Sequence, residues 1–232
     1  MTPKIIPVFC NEKNMANYAY IITDEKSQLT IIIDAAETQP ILNKLNELNL
    51  SPSYILTTHH HFDHVEANEA LKQKYDLKII APEKEFDKVP AADIAAIDNS
   101  IIKIGTFEIT PLAAPGHTNG HLIYHFAKEK LLFTGDVLFN CCIGGLFEGT
   151  PAQMFDSLQK IKALPDNTLI FPGHEYTRSC LPPQAISSTA FQSYIEKMLL
   201  RETGHIAPAT LAEEKQFNPY LQAQTLAEFI GQ

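Results

Sequence analysis

The stretch SYILTTHHHFDH (53–64) runs a short β-strand directly into four metal-binding side chains. Residues 53–58 favour an extended backbone, and His59-His60-His61-Phe62-Asp63-His64 follows without a spacer. Side chains alternate along an extended chain, so His59 and His61 point to one side. A helical turn beginning just after them returns Asp63 and His64 to the same cavity. Imidazole and carboxylate together suit zinc, iron or manganese, whereas calcium takes oxygen ligands. His60 points away by the same alternation and is expected to pack or to support the ligands from behind.

Working outward, three further segments share one form, a strand followed by a turn with a potential ligand. They are APGH ending in His117, FTGD ending in Asp136 and FPGH ending in His174. Each places a glycine before the ligand, where the backbone is expected to turn tightly. Seven ligands exceed what one tetrahedral zinc can use and suit two adjacent ions. The favoured allotment places His59, His61 and His117 around one ion, and Asp63, His64 and His174 around the other. Asp136 would bridge them, since a carboxylate offers two oxygens. His121 and His125 lie on a strand and read either as core or as outer partners of the ligands. His205, in the tail, has no claim.

The rest of the chain supplies a scaffold. Strands are expected at 5–9, 18–23, 29–35, 78–82, 121–126, 130–135 and 168–173, with a hairpin over 101–110 turning at Gly105. Helices are expected at 38–49, where Ile41, Leu42, Leu45 and Leu48 share a face, from about Val65 onward, and at 151–163 behind Thr150-Pro151. Residues 83–100 read as surface loop or short helix, and 140–149 as a Gly-rich loop. Residues 184–204 look helical, and the remaining tail reads as a loop followed by one short helix. Two β-rich halves with helices outside make a four-layer αββα sandwich, an α/β fold, with a small helical C-terminal part.

Composition narrows the function. The 232 residues are 45% apolar and 19% charged, ordinary for a globular protein. A formal charge of −9 argues against nucleic-acid and anionic-membrane surfaces. Two divalent cations would bring −9 to −5 and concentrate positive charge where chemistry occurs. Cys10, Cys141, Cys142 and Cys180 are too few for a disulfide scaffold and lack the C-x₂-C spacing of a zinc clip, so they read as packed thiols in a reducing compartment. The opening residues hold too short an apolar run for a signal peptide, and no window is apolar enough to span a bilayer. The expectation is a cytoplasmic protein, a monomer or weak dimer.

THHHFDH (58–64), APGHTNGH (114–121), FTGDVLF (133–139), GLFEGT (145–150) and FPGHEYT (171–177), in this order, resemble the metallo-β-lactamase superfamily and, more narrowly, glyoxalase II, the hydroxyacylglutathione hydrolases. TLAEEKQFNPY (210–220) extends the resemblance into the tail. It implies a catalytic domain over 1–175 and a helical substrate-binding region over 176–232. It also implies seven metal ligands at the positions named above and two divalent ions, zinc foremost, with iron or manganese as alternatives. The implied reaction is hydrolysis of S-D-lactoylglutathione to D-lactate and glutathione. A hydroxide bridging the two metals would attack, bound water having its pKa lowered to about 7. Asp63 would orient it as well as ligate.

The substrate side departs from the family pattern. Gly145 stands where the family commonly has lysine, and Phe147 where it has tyrosine. After Asn218-Pro219-Tyr220 come Leu221-Gln222-Ala223-Gln224, where basic residues are usual, and neutral Gln cannot pair with glutathione carboxylates. Tyr176 matches a family position that contacts glutathione, and Arg178 is a further candidate contact. The substrate is therefore read as lactoylglutathione or a related 2-hydroxyacyl thioester. Other readings of the same fold are a persulfide dioxygenase using one iron on two His and one Asp, and a lactonase or β-lactamase-like hydrolase. A metal-binding relic without activity would not need all seven positions filled.

Overall fold

The computed structural model describes residues 3–11, 14–24, 29–177, 179, 188–199 and 208–232. The triplet Ile31-Ile32-Ile33 shows how the layers arise. Its strand, β3 (Leu29–Ile33), lies inside a sheet with both faces covered, so successive isoleucines serve opposite cores. Ile32 packs outward with Ile41 and Leu45, the apolar stripe of a helix, α1 (Thr38–Glu47). Ile31 and Ile33 pack inward with Tyr124, Phe126, Phe133 and Phe171 of the other half. A strand buried on both faces reads as a continuous apolar run for this reason.

The first sheet has six strands in sequence order: β1 (Lys4–Cys10), β2 (Asn17–Asp24), β3, β4 (Tyr54–Leu56), β5 (Lys78–Pro82) and β6 (Ile94–Ala96). The first three are antiparallel, and β3 to β6 run parallel. Parallel neighbours need crossovers. These are α1 between β3 and β4, the pair α2 (Phe62–Val65) and α3 (Asn68–Tyr75) between β4 and β5, and the 3-10 segment Glu83–Lys88 between β5 and β6. The helix expected from Val65 onward is therefore two pieces, broken where the Ala67 N–H leaves the helical ladder and donates to the Ala35 carbonyl at 2.9 Å.

The second sheet is built from β7 (Ile102–Ile104), β8 (Phe107–Ala113), β9 (Leu122–Phe126), β10 (Leu131–Gly135), β13 (Leu169–Pro172) and β14 (Ala209–Thr210), in the order β14-β13-β10-β9-β8-β7. Between β10 and β13 come a small hairpin, β11 (Leu138–Phe139) with β12 (Cys142–Ile143), and α4 (Pro151–Lys162). Thr150 caps α4 reciprocally with Gln153. Met154, Leu158 and Ile161 of α4 close the outer face of this sheet together with Leu211, Leu221 and Phe229 of the tail.

Several expectations are corrected. Residues 83–88 form a short 3-10 helix, consistent with the expectation for 83–100, but β6 in the same stretch is a strand. The Gly-rich loop at 140–149 begins with the turn and second strand of the β11–β12 hairpin. The tail forms β14 and three short helices, α6 (Leu211–Phe217), α7 (Pro219–Gln222) and α8 (Leu226–Ile230), rather than a loop and one helix. The helix expected at 184–204 is described as α5 (Thr189–Leu199). Cys10 and Cys141 are buried free thiols, and burial pushes both up to about 12. Cys142 is disulfide-bonded, a link that a set of packed thiols did not include. Cys180, Arg178 and His205 lie outside the described residues.

Candidate metal centre

The two sheets meet along a seam, and the seven candidate ligands come from both sides of it. His59, His61, Asp63 and His64 follow β4. His117 follows β8, Asp136 follows β10 and His174 follows β13. Of the seven only His61 is partly exposed; the others are buried.

The seven fall into two sets. His59, His61 and His117 present ring nitrogens to one another, and Asp63, His64 and His174 form a second group. His117 Nε2 lies 2.9 Å from His61 Nδ1, and His64 Nε2 lies 3.2 Å from His174 Nε2. Asp136 stands between the sets. Its Oδ1 is 3.3 Å from His64 Nε2, while Oδ2 is 3.3 Å from His117 Nε2 and 3.1 Å from His174 Nε2.

The donor set fits cations, because the hydrogen bonds behind the rings fix their tautomers. His64 Nδ1 donates to Asp34 Oδ2 at 3.0 Å, His117 Nδ1 to the Gly145 carbonyl at 2.7 Å and His174 Nδ1 to the Met15 carbonyl at 2.7 Å. Thr58 Oγ1 spends its proton on Asp34 Oδ2 at 2.8 Å, so it can only accept from His59 Nδ1, 3.0 Å away. Four rings therefore turn a bare Nε2 inward, as metal-bound imidazoles with anchored outer nitrogens do. His59 Nε2 is buried and meets no hydrogen-bond partner. A buried lone pair without a donor is costly, and a cation would satisfy it.

Electrostatics agree with this geometry. Burial, aided by His64, pushes His59 far below the ordinary imidazole range, and burial likewise lowers His61 and His117. His64 goes the other way. Burial opposes its charge, but Asp136 and then Asp34 hold it protonated well above the usual range. Burial likewise opposes the charge on Asp136, yet His64 and His174 hold it far below the carboxylate range. The two carboxylates thus call for positive charge at the His64 ring, and a cation at Nε2 would supply it in place of a proton.

The glycine ahead of each ligand has more than one cause. Gly135 has φ +47°, a left-handed conformation that suits glycine. Gly173 does not; a Cβ there would meet Asp136 Oδ1 at 2.4 Å and His64 Cε1 at 2.9 Å. Its role is close approach rather than turning.

Among the other predicted residues, His121 is buried behind the site. It stacks on His59 with ring centroids 4.7 Å apart and accepts the Asp136 N–H at 3.1 Å. His125 is half-buried on β9 and faces no member of the site. His60 sits between Glu85 and Glu148. Tyr176 stacks on His174 at 4.7 Å, and burial raises its hydroxyl pKa. Phe147, 74% exposed, stands edge-on to His61 and His117 at 5.7 and 5.1 Å. Gly145 supplies the carbonyl that orients His117.

Three supporting residues were not singled out in the sequence. Asp34 anchors His64 and Thr58 from the end of β3, in a left-handed conformation with φ +54°. Asn17 Nδ2 donates to Asp63 Oδ2 at 2.9 Å and to the Asp63 carbonyl at 3.1 Å. Glu85 is buried behind His60. Only Asp34 left a sequence signal, a carboxylate closing the apolar run Ile31–Ile33.

Comparison with known proteins agrees with the fold. Residues 14–174 match the metallo-beta-lactamase superfamily model. A hydroxyacylglutathione hydrolase of Bartonella henselae is 43% identical over 215 residues, 89% of this chain and 83% of the relative. That of Pelagibacter ubique is 37% identical over 218 residues, 92% and 91% of the two chains. Among solved structures, ETHE1 from Myxococcus xanthus superposes with a TM-score of 0.76 at 25% identity, covering 98% of this chain and 88% of its own. The B3 metallo-beta-lactamase BLEG-1 superposes at 0.73 and 24%, covering 96% and 100%, and shares the fold.

Proposed function

We propose a function from this premise: the chain belongs to the metallo-beta-lactamase superfamily and, within it, to the hydroxyacylglutathione hydrolase family. It is a metal-dependent thioester hydrolase. Its substrate is S-D-lactoylglutathione or a related 2-hydroxyacyl thioester, cleaved to the hydroxy acid and free thiol. The observation that carries the reading is the pair of three-residue donor sets on either side of Asp136. His59, His61 and His117 would hold one ion and Asp63, His64 and His174 the other, with Asp136, between the two sets, serving both. Zinc suits this mixture of imidazole and carboxylate, with iron and manganese as alternatives.

Two bound cations would acidify water and polarise the thioester carbonyl. The chain's own residues do the rest. The Nδ1 anchors fix the rings before substrate arrives, so little reorganisation is left to the reaction. Asn17 holds Asp63 so that this carboxylate can orient the attacking water besides ligating. A thiol has a pKa of about 8.5, so the leaving group departs without a strong protein acid. Phe147, Leu146 and Phe62, all exposed, offer the substrate apolar contact, and Tyr176 lies beside His174. Gly145 brings no cation and Phe147 no hydroxyl, so the carrier is held with fewer charged contacts than in the family pattern. Arg178 remains a candidate contact. The setting is the cytoplasm, with the protein acting as a monomer or weak dimer. No helix among the described residues is long and apolar enough to cross a membrane.

A thioester panel with metal-loaded protein tests this. Lactoylglutathione should be hydrolysed faster than a coenzyme A thioester or a minimal thiol ester, with activity lost to a chelator and restored by Zn²⁺. If lactoylglutathione is no better than the minimal ester, glutathione is not the carrier. One iron per chain with sulfite release from a persulfide would replace the hydrolase reading with a dioxygenase.

A further inference from the structure

Glu85 is a buried carboxylate, 2% exposed, on the 3-10 turn after β5, and it touches none of the seven candidate ligands. Its two oxygens face two different loops. Oε2 accepts the His60 backbone N–H at 2.9 Å and lies 2.9 Å from His60 Nδ1. Oε1 accepts from Thr118 Oγ1 at 2.5 Å and from the Gly120 N–H at 2.8 Å. The fit is tight on the second loop: a Cβ on Gly120 would meet Glu85 Cγ at 2.4 Å. Among the described residues no Lys or Arg pairs with it.

Those two loops carry the trihistidine set. His60 sits between His59 and His61, and Thr118 follows His117. The first loop leaves β4 of one sheet and the second leaves β8 of the other, so a single side chain spans the seam directly behind three ligands. The remaining set, Asp63, His64 and His174, receives nothing from Glu85; its anchors are Asp34, Asn17 and Met15. A buried carboxylate with no Lys or Arg beside it, only the His60 ring, is expensive to desolvate and is a poor means of holding loops for stability alone. Its directed hydrogen bonds make it a good means of fixing where three imidazoles stand.

We propose that Glu85 is a positioning residue for the trihistidine half of the site, coupling the two ligand loops so that His59, His61 and His117 converge. The inference rests on the two-ion reading above. It separates the two halves: loss of Glu85 should weaken one ion's binding and leave the other's unchanged.

The test is stepwise metal titration of chelator-stripped protein with Co²⁺ and Zn²⁺, read by the cobalt absorption bands and by competition with a chromophoric chelator. His61→Ala and Asp63→Ala assign the two steps. Glu85→Gln keeps the volume but turns one acceptor into a donor facing N–H or O–H groups. It should weaken the trihistidine step on the order of 10–100-fold, as loss of an outer hydrogen-bond partner does. The Asp63/His64/His174 step should stay at the parent value. Wild-type protein that takes up no ion would defeat the two-ion reading itself. Wild-type uptake of two ions, with both steps unchanged or equally weakened in Glu85→Gln, would overturn the role of Glu85 alone. If circular dichroism shows that Glu85→Gln does not fold, Thr118→Val removes one of the same contacts and should weaken the same step to a smaller degree. An unchanged trihistidine step in Thr118→Val then counts against the proposal.

Discussion

Asp34 Oδ2 accepts hydrogen bonds from both His64 Nδ1, at 3.0 Å, and Thr58 Oγ1, at 2.8 Å, so one buried oxygen fixes a ring of one donor set and, through Thr58, a ring of the other. Asp34→Ala should therefore reduce kcat/KM roughly 10–100-fold and loosen both ions together, the cost usual for an outer partner of metal-bound histidine. Metal titration beside steady-state kinetics checks this. Loss confined to one ion would contradict the shared-oxygen geometry.

Asp136 and His61 should separate in their effects. His61→Ala removes a donor from one set and should leave about one ion per chain. Asp136→Ala removes the carboxylate placed between the sets and should lower the affinity for both ions. Activity should fall in both variants by more than the roughly 10–100-fold that losing an outer partner costs. Elemental analysis of the purified variants measures the stoichiometry.

Glu214 is buried, accepting from the Tyr194 hydroxyl, the Cys141 N–H at 3.1 Å and Asn218 Nδ2 at 3.1 Å. Asn218 Nδ2 also has the Phe139 and Cys142 carbonyls and keeps them without Glu214. Glu214→Ala removes the acceptor of the Tyr194 hydroxyl and the Cys141 N–H, and should cost roughly 2–4 kcal/mol, since each unsatisfied buried group costs about 1–3 kcal/mol. Chemical denaturation would read the loss. Glu214→Gln, which retains one acceptor, should cost less.

Glu213 caps α6 reciprocally with Thr210 and receives Lys197 Nζ at 2.8 Å. Burial tends to raise its pKa, but the bonds from Lys197 and Thr210 lower it below the ordinary glutamate value. A depressed folded pKa means stability that is present above the unfolded pKa and lost as pH falls through the folded one. Gln can still close the capping box, as Gln153 does on α4, so Glu213→Gln removes only the charge facing Lys197. Wild type should thus melt above Glu213→Gln at neutral pH, being the more stable by about 0.2–1 kcal/mol. The gap should narrow as pH drops below the usual carboxylate range.

The sequence was most informative where chemistry is local. His59, His61, Asp63 and His64 lie within six positions, and period-two alternation with one helical turn suffices to bring them together. The αββα layering was legible from runs such as Ile31–Ile33, because burial on both faces leaves an unbroken apolar signature. What stayed hidden depends on distant contacts. Glu85 meets His60 across 25 positions and Asn17 meets Asp63 across 46, and nothing in either neighbourhood distinguishes them from surface polar residues. β6 lacks the branched, alternating residues that announce a strand, and the two-residue β14 exists only because β13 offers an edge. Gly173 resembles Gly135 in sequence, yet one answers to crowding and the other to its dihedral.

That crowding has a kinetic consequence. Gly173 abuts Asp136 and His64, and Gly135 abuts Thr58 and His121, so the floor beneath the two donor sets is sealed by backbone. Six of the seven candidate ligands are buried, and His61, beneath the exposed ring of Phe147, is the most open of them. Among the described residues the centre opens past His61. If acid and thiol leave by the route the thioester enters, whichever product departs last blocks the next substrate and acts as a competitive inhibitor.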